Sequence, residues 1–179
     1  GPTHKFLAEN GIIEATLLDL WAEEDIRPEE LTSRAFIIGG IVDKTGDKKG
    51  ATPRIGEKLQ ENGIRVKRRR ISLRGDTVGV PDRINLILEI LLKMIFEGKN
   101  MEEAVLEVQP YKDARWRLRK ELPKHKIRVD RSALIEKELF HEYSRWLNIR
   151  WKDFQKVVDD LNLKVVEKEK IRKKIAESI

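Results

Sequence analysis

The sequence predicts an α/β fold: a parallel-sheet domain followed by a small all-α domain. Three observations carry this. Residues 35–42, AFIIGGIV, form a continuous apolar run rich in isoleucine, the pattern of a strand covered on both faces and hence of a parallel sheet. Strand-like and helix-like segments alternate between 35 and 98, which is the layer pattern of α/β domains. Residues 130–179 carry three helix-like segments with short joins, SALIEKELFHEYSRWL, WKDFQKVVDDL and EKEKIRKKIAESI.

Each element has its own reason. Residues 12–20, IIEATLLDL, suit either a short strand or the start of a helix. Arg27-Pro28-Glu29-Glu30 reads as a helix start, with proline in the first turn and acids near the positive end of the dipole. After the apolar run, Thr52-Pro53 reads as an N-cap and first helical residue, and Asn62-Gly63 as the stop. IRVKRRRISL (64–73) is a second strand of unusual charge, and RGDTVGVP (74–81) is a glycine-bearing loop. Pro81-Asp82 opens a helix that runs to about Glu97 and closes at Gly98. Its body, INLILEILLKMIF, is apolar on nearly every side and is expected to be buried on more than one face. The first domain then spans 3–110. Residues 111–129, flanked and interrupted by Pro110 and Pro123, read as a basic linker, and 130–179 as the helical domain.

Composition narrows the function. The chain has 179 residues, 40% hydrophobic and 38% charged, with a formal charge of +6, which points modestly towards nucleic acid. Without cysteine there is no disulfide, no thiolate nucleophile and no cysteine-ligated zinc. The three histidines, His4, His125 and His141, are too scattered for a histidine metal site. No apolar run reaches the length of a membrane span. Gly1-Pro2 carries no signal peptide and is read as a protease-cleavage scar. Abundant Lys, Glu, Arg and Ile suit a heat-adapted intracellular protein.

The two glycine loops decide more. Between Gly40 and Gly46 stand five residues, and Asp47 occupies the place of the phosphate-binding lysine, so no Walker loop is present. Neither loop has the dinucleotide spacing. Asp43, Asp47 and Asp76 lack the spacing and the second ligand type of a cation site, so no metal is expected. Both loops leave the carboxyl ends of neighbouring strands, where open α/β sheets bind ligands. Glycines there let backbone groups approach a ligand and read a neutral ring such as adenine; tight turns with no ligand are the plain alternative.

These residues carry a resemblance. FIIGGIVDK, the lysine–glycine–threonine loop behind it, and the loop leading through VGVPDRIN into INLILEILL resemble the tRNA position-9 purine N1-methyltransferases of the SPOUT superfamily, in their archaeal form. The likeness covers roughly 12–110 and is most specific over 35–98. It implies a parallel-sheet SPOUT domain with a C-terminal trefoil knot, and S-adenosylmethionine as methyl donor, leaving as S-adenosylhomocysteine. It implies Asp43 as the catalytic residue beside the reacting base, as a proton acceptor or by holding the base through a hydrogen bond. Cofactor contacts are implied for Ile38, Gly40 and Val42, for Leu73, Gly75, Thr77, Gly79 and Val80, and for Ile84 and Asn85. The family's catalytic domain begins further upstream, with strands not found here, so a missing N-terminal part is expected. The family implies a cytoplasmic monomer, while the apolar helix 82–97 leaves a dimer open.

The basic residues fit a tRNA partner. Five of the six residues of RVKRRR (65–70) are cationic, and KDARWRLRK (112–120) interleaves Trp116 with arginines. Arginines track phosphates and an exposed aromatic stacks on an unpaired base; the alternative is a surface of ion pairs with Trp116 in the core. The expected RNA contacts are Lys44, Lys48, Lys49, Arg54, Arg68, Arg70, Arg83, Arg115, Arg117 and Arg119. Two other functions stay open: a SPOUT methyltransferase acting on another RNA, and a non-catalytic RNA-binding protein.

Overall fold

In the computed structural model the chain is described over residues 2–39 and 51–179, and it divides into two compact units. The first comprises residues up to Thr77 together with Pro81–Val105; the second comprises Val78–Val80 and Leu106–Ile179.

The first unit is built on a parallel sheet. The ambiguous segment 12–20 is the strand β1 (Glu14–Leu18), flanked by β2 (Phe36–Ile38) and β3 (Arg65–Arg69) in the order β2-β1-β3. Both pairings are parallel, with Thr16 opposite Phe36 and Lys67. The central strand is the most buried: Ala15 and Leu17 are fully enclosed, and Thr16 and Leu18 nearly so. On one face, α1 (Thr3–Glu9) and α2 (Ala51–Glu61) bring Leu7, Leu59 and Ile55 against Ala15, Ile37 and Val66. Helix α2 includes Thr52 and Pro53 rather than starting at them, and ends before Gly63, whose φ of +79° turns the chain. The 27–30 signal produces only a 3₁₀ turn, Pro28–Thr32.

Helix α3 (Ile84–Phe96) packs against β2 and that turn. It buries Ile87, Ile90, Leu91 and Met94, whereas Ile84, Leu88, Leu92 and Phe96 are exposed on a stripe at four-residue spacing. The expectation of burial on several faces is therefore met on one side only. Helix α4 (Met101–Val108) follows.

The second unit corrects the all-α expectation. Residues 111–129, expected to be a linker, fold as helix α5 (Tyr111–Glu121), a 3₁₀ turn and strand β4 (Ile127–Val129). Pro110 stands at the N-cap of α5, where its missing N–H costs nothing. The predicted helix from 132 is strand β5 (Ser132–Glu136), then α6 (Leu139–Ser144). With β6 (Lys164–Val166) these strands make a mixed sheet, β4-β5 antiparallel and β5-β6 parallel. Leu134 and Val129 pack with Ile171 of α8 (Lys168–Glu177). A run of alternating Ala, Leu, Ile and Glu satisfies either period when read alone, and pairing with β4 and β6 selects the strand. Helix α7 (Trp151–Asp160) and α8 lie where the sequence places them. Among the described residues no helix is long and apolar enough to cross a membrane.

Leu17 is the fully enclosed centre of the first sheet. Replacing it with alanine is expected to cost about 3 kcal/mol in urea unfolding, through lost burial and the cavity left behind. A loss under about 1 kcal/mol would contradict that place in the core.

Candidate functional site

Parallel pairing brings the ends of three strands to one edge. Leu18 lies opposite both Ile38 and Arg69, so the chain leaving β2, the chain after β1 and the chain after β3 depart together. Ile38 is half-buried there, and Gly39 is packed so closely that an added Cβ would stand 2.8 Å from the Thr52 side chain. Gly40, Val42, Asp43, Lys44, Lys48 and Lys49 lie outside the described residues, as does Asp47. Among the described residues no three metal-ligating side chains come together.

The second loop is built on backbone pairing. Leu73, fully buried, and Asp76 exchange main-chain hydrogen bonds of 2.8 and 3.3 Å. Arg74 at φ +52° and Gly75 at φ +77° close this turn, and a Cβ on Gly75 would meet open space. Arg70 supports the turn by donating from Nη2 to the Gly75 carbonyl at 3.2 Å. Thr77 is half-buried, Val80 is buried, and Ile84 and Asn85 are exposed in the first turn of α3.

Residues 78–80 count with the C-terminal unit, and contacts there explain it. Gln109, 1% exposed, donates from Nε2 to the Gly79 carbonyl at 2.8 Å. Arg117 donates from Nη1 to the Val78 carbonyl at 2.9 Å. Gly79 has φ +93°, and a Cβ on it would stand 2.7 Å from the Cβ of Arg117. Neither side chain was assigned this role from sequence. Their partners are carbonyls 30 and 39 positions away, and no residue pattern encodes those.

The expected RNA cations divide sharply. Arg117 is corrected: it is 3% exposed, and its Nε is bound to Glu121 at 2.7 Å, so it cannot reach a phosphate. Its guanidinium also lies over the Trp146 ring, 5.1 Å from the centroid. Four others are exposed to some degree but held by carboxylates. Arg68 binds Asp19 through Nε at 3.1 Å and through Nη2, Arg70 binds Asp25 at 2.9 Å, and Arg119 binds Asp160 at 2.8 Å. Arg115 binds Asp153 at 2.6 Å. In the same strand Arg69 is forked onto Glu30 at 2.8 and 3.0 Å. The basic strand is thus a ladder of ion pairs. Arg54 on α2 and Arg83 before α3 are exposed. Trp116 is 64% exposed, which removes the reading that placed it in the core.

In the C-terminal unit, Asp153 gathers the cations of two elements. Besides Arg115 it accepts from Arg150 Nε at 2.7 Å and from the Arg150 backbone N–H at 2.9 Å. Burial pushes this carboxyl upward, but the hydrogen bonds from Arg150 and Arg115 prevail and lower its pKa from 3.8 to about 2. A depressed pKa stabilises the fold above the ordinary aspartate range, and that contribution is lost as pH falls through the folded value. Asp153→Asn is expected to lower unfolding stability at neutral pH by on the order of 2 kcal/mol. The gap from wild type, read from urea midpoints, should narrow as pH drops from about 4 towards about 2.

Comparison with known proteins gives consistent matches. The family model for the tRNA (guanine(9)-/adenine(9)-N1)-methyltransferase C domain matches residues 115–178. A tRNA (guanine(9)-/adenine(9)-N1)-methyltransferase of Thermococcus kodakarensis is 58% identical over 175 residues, 96% of this chain and 47% of that protein. A tRNA (adenine(9)-N1)-methyltransferase of Sulfolobus acidocaldarius is 37% identical over 112 residues, 63% of this chain and 34% of that protein. The chain therefore spans less than half the length of either relative. Among solved structures, a dual-specific Trm10 from Thermococcus kodakaraensis aligns with TM-score 0.57 and 61% identity, over 61% of this chain and 63% of that one. Sulfolobus acidocaldarius Trm10 in complex with S-adenosylhomocysteine aligns with TM-score 0.58 and 27% identity, over 82% of this chain and 44% of that one.

Proposed function

The chain belongs to the archaeal family of tRNA (guanine(9)-/adenine(9)-N1)-methyltransferases, and we propose that it serves S-adenosylmethionine-dependent methylation of N1 of the purine at tRNA position 9. The observation that carries the reading is the 58% identity with the Thermococcus enzyme across 96% of the chain. The trefoil knot, the monomeric state and a cytoplasmic location belong to the same reading.

The residues present fit the cofactor. An adenine ring has neutral hydrogen-bonding edges, which backbone groups recognise if no Cβ blocks them. The turn at 73–76 has a Gly75 with open space on its Cβ side and a buried Leu73 two positions earlier. Leu73, Gly75, Thr77, Gly79 and Val80 would hold the cofactor with Ile38, Gly40, Val42, Ile84 and Asn85. The bound cofactor supplies a methyl group on a sulfonium centre.

The rest falls to the chain and its substrate. Methyl transfer to a ring nitrogen is an in-line displacement that depends on positioning. In guanine, N1 carries a proton, and Asp43 accepts it. In adenine, N1 has a free lone pair, and Asp43 holds the base by a hydrogen bond; the methylated ring is cationic and its exocyclic amine releases a proton to water afterwards. On the RNA side, Lys44, Lys48, Lys49, Arg54 and Arg83 meet the phosphates and Trp116 stacks on an unpaired base, because the other arginines are committed to carboxylates.

The test is methylation of a tRNA transcript with labelled S-adenosylmethionine, followed by mapping of the modified nucleotide. Asp43→Asn is expected to slow transfer to position 9 by about 100-fold while leaving S-adenosylhomocysteine affinity unchanged. Label at another nucleotide or in ribosomal RNA would replace the target. RNA binding without cofactor binding would replace the enzyme with a binding protein.

A further inference from the structure

We propose that Gln109 and Arg117 are positioning residues for the cofactor: they grip two successive carbonyls of the second glycine loop, at Val78 and Gly79, and so set the backbone that receives S-adenosylmethionine. This rests on the reading of residues 73–80 as a cofactor wall.

The grip is specific in its chemistry. An amide such as Gln109 can face a carbonyl with its nitrogen or, unfavourably, with its oxygen. Here the orientation is fixed from behind: the Asn148 N–H donates to Gln109 Oε1 at 2.9 Å, which leaves Nε2 for Gly79. Asn148 Nδ2 also donates to the Gln109 main-chain carbonyl at 2.8 Å, so the residue is held at both ends. Arg117 is fixed in the same manner, with Nε on Glu121 and Nη1 on Val78. Glu121 is further bound by Lys124 at 2.6 Å. Burial raises the Glu121 carboxyl, but Lys124 and Arg117 outweigh it and hold the pKa below the ordinary value, so the anion that orients Arg117 persists.

Simple packing would not use these groups. A buried amide and a buried guanidinium cost desolvation unless every end is satisfied, and apolar residues of similar size would fill the space more cheaply. What the polar pair adds is direction on the loop carbonyls. The missing side chain at Gly79 belongs to the same device, because at φ +93° and with Arg117 Cβ so close, no other residue lets the backbone come this near to α5.

The experiment is calorimetric titration of the full chain with S-adenosylhomocysteine. Gln109→Glu keeps the acceptor for Asn148 and loses the donor for Gly79. Phe154→Leu is the control; its ring packs on Phe140 and Trp151 and bears on the stability of the same unit. The expected result is an affinity about tenfold weaker in Gln109→Glu and wild-type affinity in Phe154→Leu. Wild-type affinity in Gln109→Glu, or an equal loss in both variants, overturns the proposal. If the wild-type chain binds no S-adenosylhomocysteine, the cofactor reading of the loop fails instead, and amide exchange over residues 76–80 judges the grip alone. Faster exchange in Gln109→Glu keeps it, and unchanged exchange removes it.

Discussion

The pairing of β1 with two parallel neighbours is the constraint on which the first unit depends. A parallel ladder aligns like ends, so a strand with parallel partners on both sides gathers three chain departures at one edge. Leu18, Ile38 and Arg69 are held level in this way. The cost is that β1 must be apolar on both faces, and Ala15, Leu17 and Leu18 meet it, with Thr16 as the polar exception. Gly39 and the chains that follow β1 and β3 are thereby brought to one edge. The methyl transfer proposed above would rely on positioning, which is what such an edge offers.

The charged strand β3 shows how a sequence can mislead about a surface. Four of its five residues are cationic, which reads as a phosphate-facing edge. Carboxylates drawn from β1 and the segment that follows it meet them: Glu14 lies near Arg65 and Lys67, Asp19 takes Arg68, and Glu30 takes Arg69. The partners stand 39 to 49 positions away for the tightest pairs. Only the parallel register makes them neighbours, and no local pattern records it. The same holds on α5, where Arg115 and Arg119 turn to Asp153 and Asp160 of α7.

Legibility followed how local each cause was. Glycine-closed helices, the strand Phe36–Ile38 within the apolar run 35–42 and the helices α7 and α8 rest on neighbours within a few residues, and they were readable; residues 40–42 of that run lie outside the described residues. The family was readable from the motifs of the two loops, whereas the part each loop residue plays is a matter for the proposed function. The strands of the C-terminal unit were not, because β5 becomes a strand only by pairing with β4 and with β6, which lies 30 positions beyond it. Trp116 was undecided for a similar reason, as a single aromatic among arginines is compatible with core or surface until its helix is packed.

Two consecutive carbonyls bound by two separately anchored donors have a consequence for how the loop can vary. Sliding the chain by one residue would offer Gln109 and Arg117 the wrong pair of carbonyls and would move a side chain into the space that Gly79 leaves beside α5. The frame is therefore locked at residues 78 and 79. Ahead of it the turn is open to solvent at Gly75, where an added Cβ would have nothing within 4 Å. Relatives with longer or shorter versions of this loop should differ ahead of residue 78 and keep the paired carbonyls at 78 and 79 in register with Arg117 and Gln109.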